Sequence, residues 1–217
     1  MNSSNMPLVG WTAIAGGIIS LIGFVSLVIF FVVGEPFGTL NDLLAIPVAF
    51  LMLPLVFALY RLNAMTHPTV SLIAAIAGMV GFIATAVGSV LLVSGRITFA
   101  QSLYTGIGGF GLMGLWVLLN SIGGLRANHL PTGLAWMGIL LGITPSLALI
   151  FVPRVEVIAR SLESMAGQSS GFQMSPFLMA AFVLGGLSYA GLPVWFILMG
   201  RFFAVNQVGA VIKVASA

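Results

Sequence analysis

The sequence contains no cysteine and very few charged side chains. The absence of cysteine excludes disulfides, iron–sulfur clusters, thiolate catalysis and cysteine-bound zinc. Seven basic and four acidic residues make up 5% of the 217-residue chain, whereas about 25% of an average soluble domain is charged. So few polar groups cannot cover the surface of a soluble protein. The composition therefore excludes a soluble enzyme and a disordered tail, and a net charge of +3 is too small for nucleic-acid binding.

Long hydrophobic runs are what the chain does have. Hydrophobic residues make up 60% of it and the mean hydropathy is +1.20, which is typical of an integral membrane protein. Six runs free of charge are each near or above the roughly 18–20 residues that cross the hydrocarbon core as a helix. The predicted spans cover residues 8–33, 41–61, 69–94, 103–123, 131–152 and 176–200. The second is the weakest, because its charge-free part is short and contains Pro47 and Pro54.

These runs predict the fold class. The apolar residues are continuous rather than alternating, which favours helices over strands. We therefore expect an all-α polytopic membrane protein with one transmembrane domain over residues 1–217, built as three helical hairpins. The first run is too long for a signal-peptide core, so we expect helix 1 to remain in the mature protein.

The charges separate between the two sides of this predicted topology. One side has only bases, namely Arg61, Arg126, Arg201 and Lys213. The other side has Arg96, Arg154, Arg160, Glu35, Asp42, Glu156 and Glu163. The first side has four basic residues and the second has three, so the positive-inside rule favours the first side as cytoplasmic. All four acidic residues lie on the second side, which agrees with this orientation. Both termini are therefore predicted to lie in the cytoplasm.

Residues 154–166, between the last two spans, predict a short amphipathic helix. Val155, Ile158 and Leu162 share one face, and Glu156 precedes Arg160 by four residues, the favourable order for an ion pair. We expect this helix to lie on the extracytoplasmic membrane surface, and docking of a partner subunit is the alternative.

The polar residues leave little material for chemistry. No predicted span has an ionisable residue near its midpoint, and Asn41 and Asp42 are expected to cap helix 2. Motifs of zinc proteases, serine hydrolases and phosphate-binding loops are missing from the sequence. We therefore predict no enzyme activity, no catalytic or metal-binding residues and no bound cofactor other than lipid contacts.

Two histidines are the only candidates for a cofactor. His67 and His129 occupy similar turns, each after an arginine that ends a helix and just before a Pro-Thr pair. They could bind a haem or a chlorophyll, but such ligands are expected within the bilayer, so this is the least favoured interpretation. The similar turns could reflect an internal duplication. The simpler interpretation is that arginine follows the positive-inside rule and that proline begins the next helix.

Glycines are frequent within the spans. Gly78, Gly81 and Gly88 share a face of helix 3, and five glycines between 106 and 114 lie in helix 4. Small residues allow transmembrane helices to approach closely, so packing within the bundle is the favoured interpretation. A pore or ligand groove along helix 4 is the alternative.

Two segments carry a resemblance to known sequences. They are Gly114-Leu-Trp116 through Gly142, and Gly191-Leu-Pro193-Val-Trp195 through Arg201. This pattern resembles uncharacterised six-helix membrane proteins of Chloroflexota and Actinobacteria that are grouped as domains of unknown function. The resemblance covers helices 4 to 6 and implies a bacterial inner-membrane protein, with no catalytic residue carried over.

Three functions remain open from the sequence. A structural or accessory subunit of a larger membrane complex is favoured, with membrane lipids and other membrane-protein subunits as partners. A carrier or channel for a neutral or apolar solute is the alternative, based on prolines within helices 2, 5 and 6. A pigment- or haem-binding membrane protein that uses His67 or His129 is the third.

Overall fold

The computed structural model describes residues 6–156 and 176–205, and these form helices joined by short turns. The six long helices are α1 (Met6–Val33), α2 (Phe37–Ala64), α3 (Pro68–Val93), α4 (Phe99–Arg126), α5 (Thr132–Ala148) and α6 (Pro176–Ala204). The prediction of an all-α polytopic membrane protein is confirmed. The predicted surface helix over residues 154–166 lies almost entirely outside the described residues and stays a prediction.

Among the described residues, five helices are long and apolar enough to cross a membrane, counting the part Gly185–Ala204 of α6. The helix α5 has only 17 residues, but a 3-10 segment (Leu149–Arg154) continues it directly. At 1.5 Å per α-helical and 2.0 Å per 3-10 residue, the two together extend about 37 Å. That exceeds the roughly 30 Å of hydrocarbon, so six crossings are possible.

The doubtful second span is a full helix of 28 residues that continues through Pro47 and Pro54. It also begins four residues before the predicted start. Pro36 directly precedes the first residue of α2. A backbone N–H at the start of a helix has no partner within the helix, so proline loses no hydrogen bond there. The Glu35 carboxylate accepts hydrogen bonds from the backbone N–H and the hydroxyl of Thr39.

Consecutive helices run antiparallel and pack side by side, and α6 returns to pack on α1. The α1–α6 contact is close, because a side chain at Gly10 would collide with the backbone of Gly200 and Ala204. Contact between α5 and α6 is less extensive than between the other neighbours. The six helices thus form a closed ring with one looser seam.

Antiparallel order places the described charges at opposite ends of the bundle. Arg61, Arg126 and Arg201 lie in the last turns of α2, α4 and α6, at what we call the arginine end. Glu35, Asp42 and Glu156 lie at or near the other end, the acidic end. The predicted segregation holds for these residues, whereas Glu163 and Lys213 lie outside the described ranges.

Glycines line the closest helix contacts. A Cβ at Gly81 would lie 2.8 Å from the carbonyl oxygen of Gly109, and one at Gly109 would lie 2.9 Å from that of Gly81. On its other side α4 meets α5, where a Cβ at Gly114 would lie 3.0 Å from the carbonyl oxygen of Gly142. The glycines of α4 at these positions therefore serve packing between helices, as the sequence favoured.

Candidate functional site

The centre of the bundle holds four large rings, Phe82, Trp116, Trp195 and Phe196, which we call the aromatic cluster. They come from α3, α4 and α6, and their ring centroids lie 5.6 to 6.2 Å apart. Neither tryptophan is exposed at all. The Trp116 ring fits over Gly78, where a Cβ would come within 2.7 Å of it. Because edge-to-face aromatic pairs add to packing, this cluster fills and fixes the middle of the bundle.

Toward the arginine end, two buried asparagines join α2 to α4. The Asn63 Nδ2 group donates to the side-chain oxygen of Asn120 at 3.0 Å and to its backbone carbonyl at 3.2 Å. The Nδ2 group of Asn120 donates to the carbonyl of Trp116 at 2.8 Å. Hydrogen bonds between helices stabilise membrane bundles, since lipid offers no alternative partner. This amide pair is therefore an interhelical clamp.

Nearer the acidic end, Asn41, Asp42 and Tyr189 form a second group, the tyrosine cluster. The Tyr189 hydroxyl donates to Oδ1 of Asn41 at 3.2 Å, and Nδ2 of Asn41 lies 3.4 Å from a carboxylate oxygen of Asp42. The ring of Tyr189 contacts Phe24 and Phe110, with centroids 6.0 and 5.3 Å away. Tyr189 thus connects α6 to α1, α2 and α4 in the middle of the ring.

The expected capping role of Asn41 and Asp42 is wrong. Both residues lie in the second turn of α2, because the helix begins at Phe37. The N-cap residue is Pro36, and the carboxylate of Glu35 just before it accepts a hydrogen bond from the backbone N–H of Thr39. Asn41 and Asp42 are consequently available for contacts between helices.

The two histidines lie in different surroundings. His67 is exposed in the α2–α3 turn, and its carbonyl accepts a hydrogen bond from Ser71. His129 is only 6% exposed, and its Nδ1 has no hydrogen-bond partner among the described residues. Both lie in turns at the arginine end rather than on facing helix bodies. Neither histidine lies beside a cavity along the described helices that has the shape of a haem or chlorophyll ring.

The two similar turns also differ in backbone structure. Asn128 has φ of +54°, and the amides of Asn128 and His129 bond back to the carbonyls of Leu125 and Gly124. This is the Schellman pattern that ends many helices. The α2–α3 turn, as described, has no residue with positive φ, and its Asn63 lies inside α2. The two turns are therefore similar in sequence but differ in backbone conformation.

The sequence did not predict the pairing of Asn63 with Asn120 or the hydrogen bond of Tyr189 to Asn41. Ionisable side chains within the spans were counted, and neutral amides and phenols are not among them. Asn63 and Asn120 could have been noticed as amides within otherwise apolar helix ends, although their pairing could not.

The described arrangement joins helices rather than assembling reactive groups. No group of three or more histidine, aspartate or glutamate side chains in the described ranges is placed to hold a metal ion. The Trp195 indole N–H donates to the carbonyl of Leu134 at 3.1 Å, which joins α6 to α5. Three side-chain links thus join helices in the described bundle, while Ser26, Thr85 and Ser146 bond to carbonyls of their own helices.

Comparison with known proteins gives no further identification. No protein-family model matches the chain, and no curated protein or solved structure is significantly similar to it.

Proposed function

We propose that this integral membrane protein is a non-catalytic structural or accessory subunit of a larger membrane complex in the bacterial inner membrane. The observation that carries the proposal is the filled centre of the bundle. The aromatic cluster occupies the space among α3, α4 and α6 in which a solute path would run. Trp116, Trp195 and Phe196 are all buried there.

The hydrogen bonds support the same function. Asn63 bonds to Asn120, Trp195 to Leu134 and Tyr189 to Asn41, so these three polar contacts join helices. A site that binds a polar molecule needs several such groups directed into one cavity.

The outer surface offers room for partner subunits. Helix α1 presents Trp11, Ile18, Ile22 and Val25 outward along its length, each about half exposed or more. A face of this kind contacts lipid or another membrane helix. We further propose that the arginine end, with both chain termini, faces the cytoplasm, since cytoplasmic loops are rich in basic residues.

Native mass spectrometry of the tagged protein, solubilised gently from its own membranes, tests the proposal. We expect a complex of fixed stoichiometry that contains this chain and at least one other membrane protein. As the control, membranes with tagged protein are mixed with isotope-labelled membranes before solubilisation, and labelled partners mark contaminants. A monomer without partners would refute the proposal.

A carrier or channel for a neutral solute is the second candidate, and the tyrosine cluster favours it. This cluster places a hydroxyl, an amide and a carboxylate together, and Pro193 lies within α6 four residues after Tyr189. Flux of small neutral solutes into proteoliposomes would support it if Tyr189→Phe slowed the flux. Equal flux in liposomes with and without protein would exclude it.

A further inference from the structure

A groove opens on the bundle surface at the looser seam between α5 and α6, near the arginine end. It has a volume of about 360 Å³. Its lining includes Gly133, Leu134 and Met137 from α5 and Leu198, Arg201 and Phe202 from α6. Apart from Arg201, the side chains among these residues are apolar, and Gly133 has no side chain to fill the groove. We call this the α5–α6 groove.

We propose that the α5–α6 groove binds one anionic phospholipid of the adjacent leaflet. An acyl chain lies against Leu134, Met137 and Leu198, and the guanidinium of Arg201 binds the lipid phosphate. The residues belong to the last two turns of α6 and the first two turns of α5, at the depth where headgroup meets hydrocarbon. One occupant with an apolar tail and an acidic head fits both parts of the lining.

The distribution of charge favours an acidic headgroup. Arg201 is exposed and makes no ion pair among the described residues. Glu35, Asp42 and Glu156 are all on the far side of the bundle. Arginine binds phosphate oxygens through two parallel N–H groups. A lipid with net negative charge adds an attraction to Arg201 that the cationic choline of phosphatidylcholine would offset.

The headgroup contact is tested by native mass spectrometry of protein from nanodiscs that contain phosphatidylglycerol and phosphatidylcholine in equal amounts. We expect one retained phosphatidylglycerol per chain, and about fivefold less retention in Arg201→Gln, because one basic residue contributes roughly 1 kcal/mol to anionic-lipid binding. The matched control is Arg126→Gln. Arg126 is also an exposed arginine in the last turn of a helix, but it does not line the groove. Equal losses in both variants would overturn the proposal.

The acyl-chain contact is tested by filling the groove. A Cβ at Gly133 meets nothing within 4 Å, so Gly133→Leu can occupy the groove without disturbing the fold. Gly106→Leu is the control, because Gly106 is equally open and lies on α4 away from the groove. We expect Gly133→Leu to lose phosphatidylglycerol at least as strongly as Arg201→Gln, and Gly106→Leu to retain it.

Two further probes separate the lipid from other occupants. Glycerol phosphate, which has the headgroup phosphate without chains, should not displace the lipid, and displacement would show a simple phosphate site. A photo-reactive residue in place of Leu198 should cross-link to lipid. A cross-link to protein would overturn the proposal in favour of a subunit contact.

Discussion

Replacing Gly81 by alanine tests the closest contact in the bundle. The new Cβ would lie 2.8 Å from the carbonyl oxygen of Gly109 and 2.9 Å from the amide nitrogen of Met113. Ordinary contacts of a Cβ begin near 3.4 Å, so α3 and α4 would have to separate by about 0.6 Å in a closely packed interior.

The expected loss follows from two opposing terms. Overpacking of this kind costs about 1–3 kcal/mol. Alanine recovers about 0.5–1 kcal/mol because it loses less backbone entropy than glycine in a helix. We therefore expect Gly81→Ala to lower the free energy of unfolding by up to about 2.5 kcal/mol.

Gly106→Ala is the matched control on the neighbouring helix. A Cβ at Gly106 meets no atom within 4 Å, so only the entropy term acts and stability should stay equal or rise by up to about 1 kcal/mol. The assay is reversible unfolding in mixed micelles with increasing dodecyl sulfate, followed by tryptophan fluorescence. The reasoning is refuted if Gly81→Ala proves at least as stable as Gly106→Ala.

Three other contacts are tested by substitution in the same assay. A double-mutant cycle of Asn63→Leu and Asn120→Leu should give a coupling of about 0.6–1.7 kcal/mol, because the two amides bond directly; additive losses would contradict the clamp. The Thr98 hydroxyl caps α4 by accepting a hydrogen bond from the Gln101 amide. Thr98→Ala should therefore lower stability by about 0.5–2 kcal/mol, and Thr98→Ser, which keeps a hydroxyl, by much less. Equal losses in the two variants would show that the hydroxyl is not responsible. Trp195→Phe should lose more than about 1 kcal/mol, because it removes the hydrogen bond to Leu134 and leaves a cavity in the aromatic cluster. An unchanged stability would count against both contributions.

The positions of the charges made most of the fold predictable. A charged residue is costly within the hydrocarbon, so Arg61, Arg126 and Arg201 mark the ends of three helices in both sequence and structure. The glycine faces predicted close packing for the same physical reason, since only small residues allow two backbones to meet. Which glycine would meet which partner, as Gly81 meets Gly109, depends on the rotation of each helix and could not be predicted.

Local signals were less reliable at helix ends. Asn41 and Asp42 are good capping residues, but the Glu35-Pro36 pair before them begins the helix one turn earlier. Proline at a helix start and a carboxylate that accepts a backbone N–H together outweighed the propensity of the later residues.

Contacts between residues that are far apart in the chain could not be predicted from the sequence. Tyr189 and Asn41 lie 148 positions apart, and their hydrogen bond exists because the ring of helices closes between α6 and α1. Likewise, Trp116 and Trp195 could have been interfacial anchors like the exposed Trp11, but they are fully buried.

The central claim is that six antiparallel helices cross the membrane with the arginine end in the cytoplasm. The chain has no cysteine, so single cysteines can report the side of each turn. Thr66 and Thr132 are exposed at the arginine end, and Ser94 is exposed at the acidic end. In bacterial cells, a membrane-impermeant maleimide should label Ser94→Cys in intact cells, and Thr66→Cys and Thr132→Cys only after permeabilisation. Labelling of Thr66→Cys and Ser94→Cys from the same side would contradict the account.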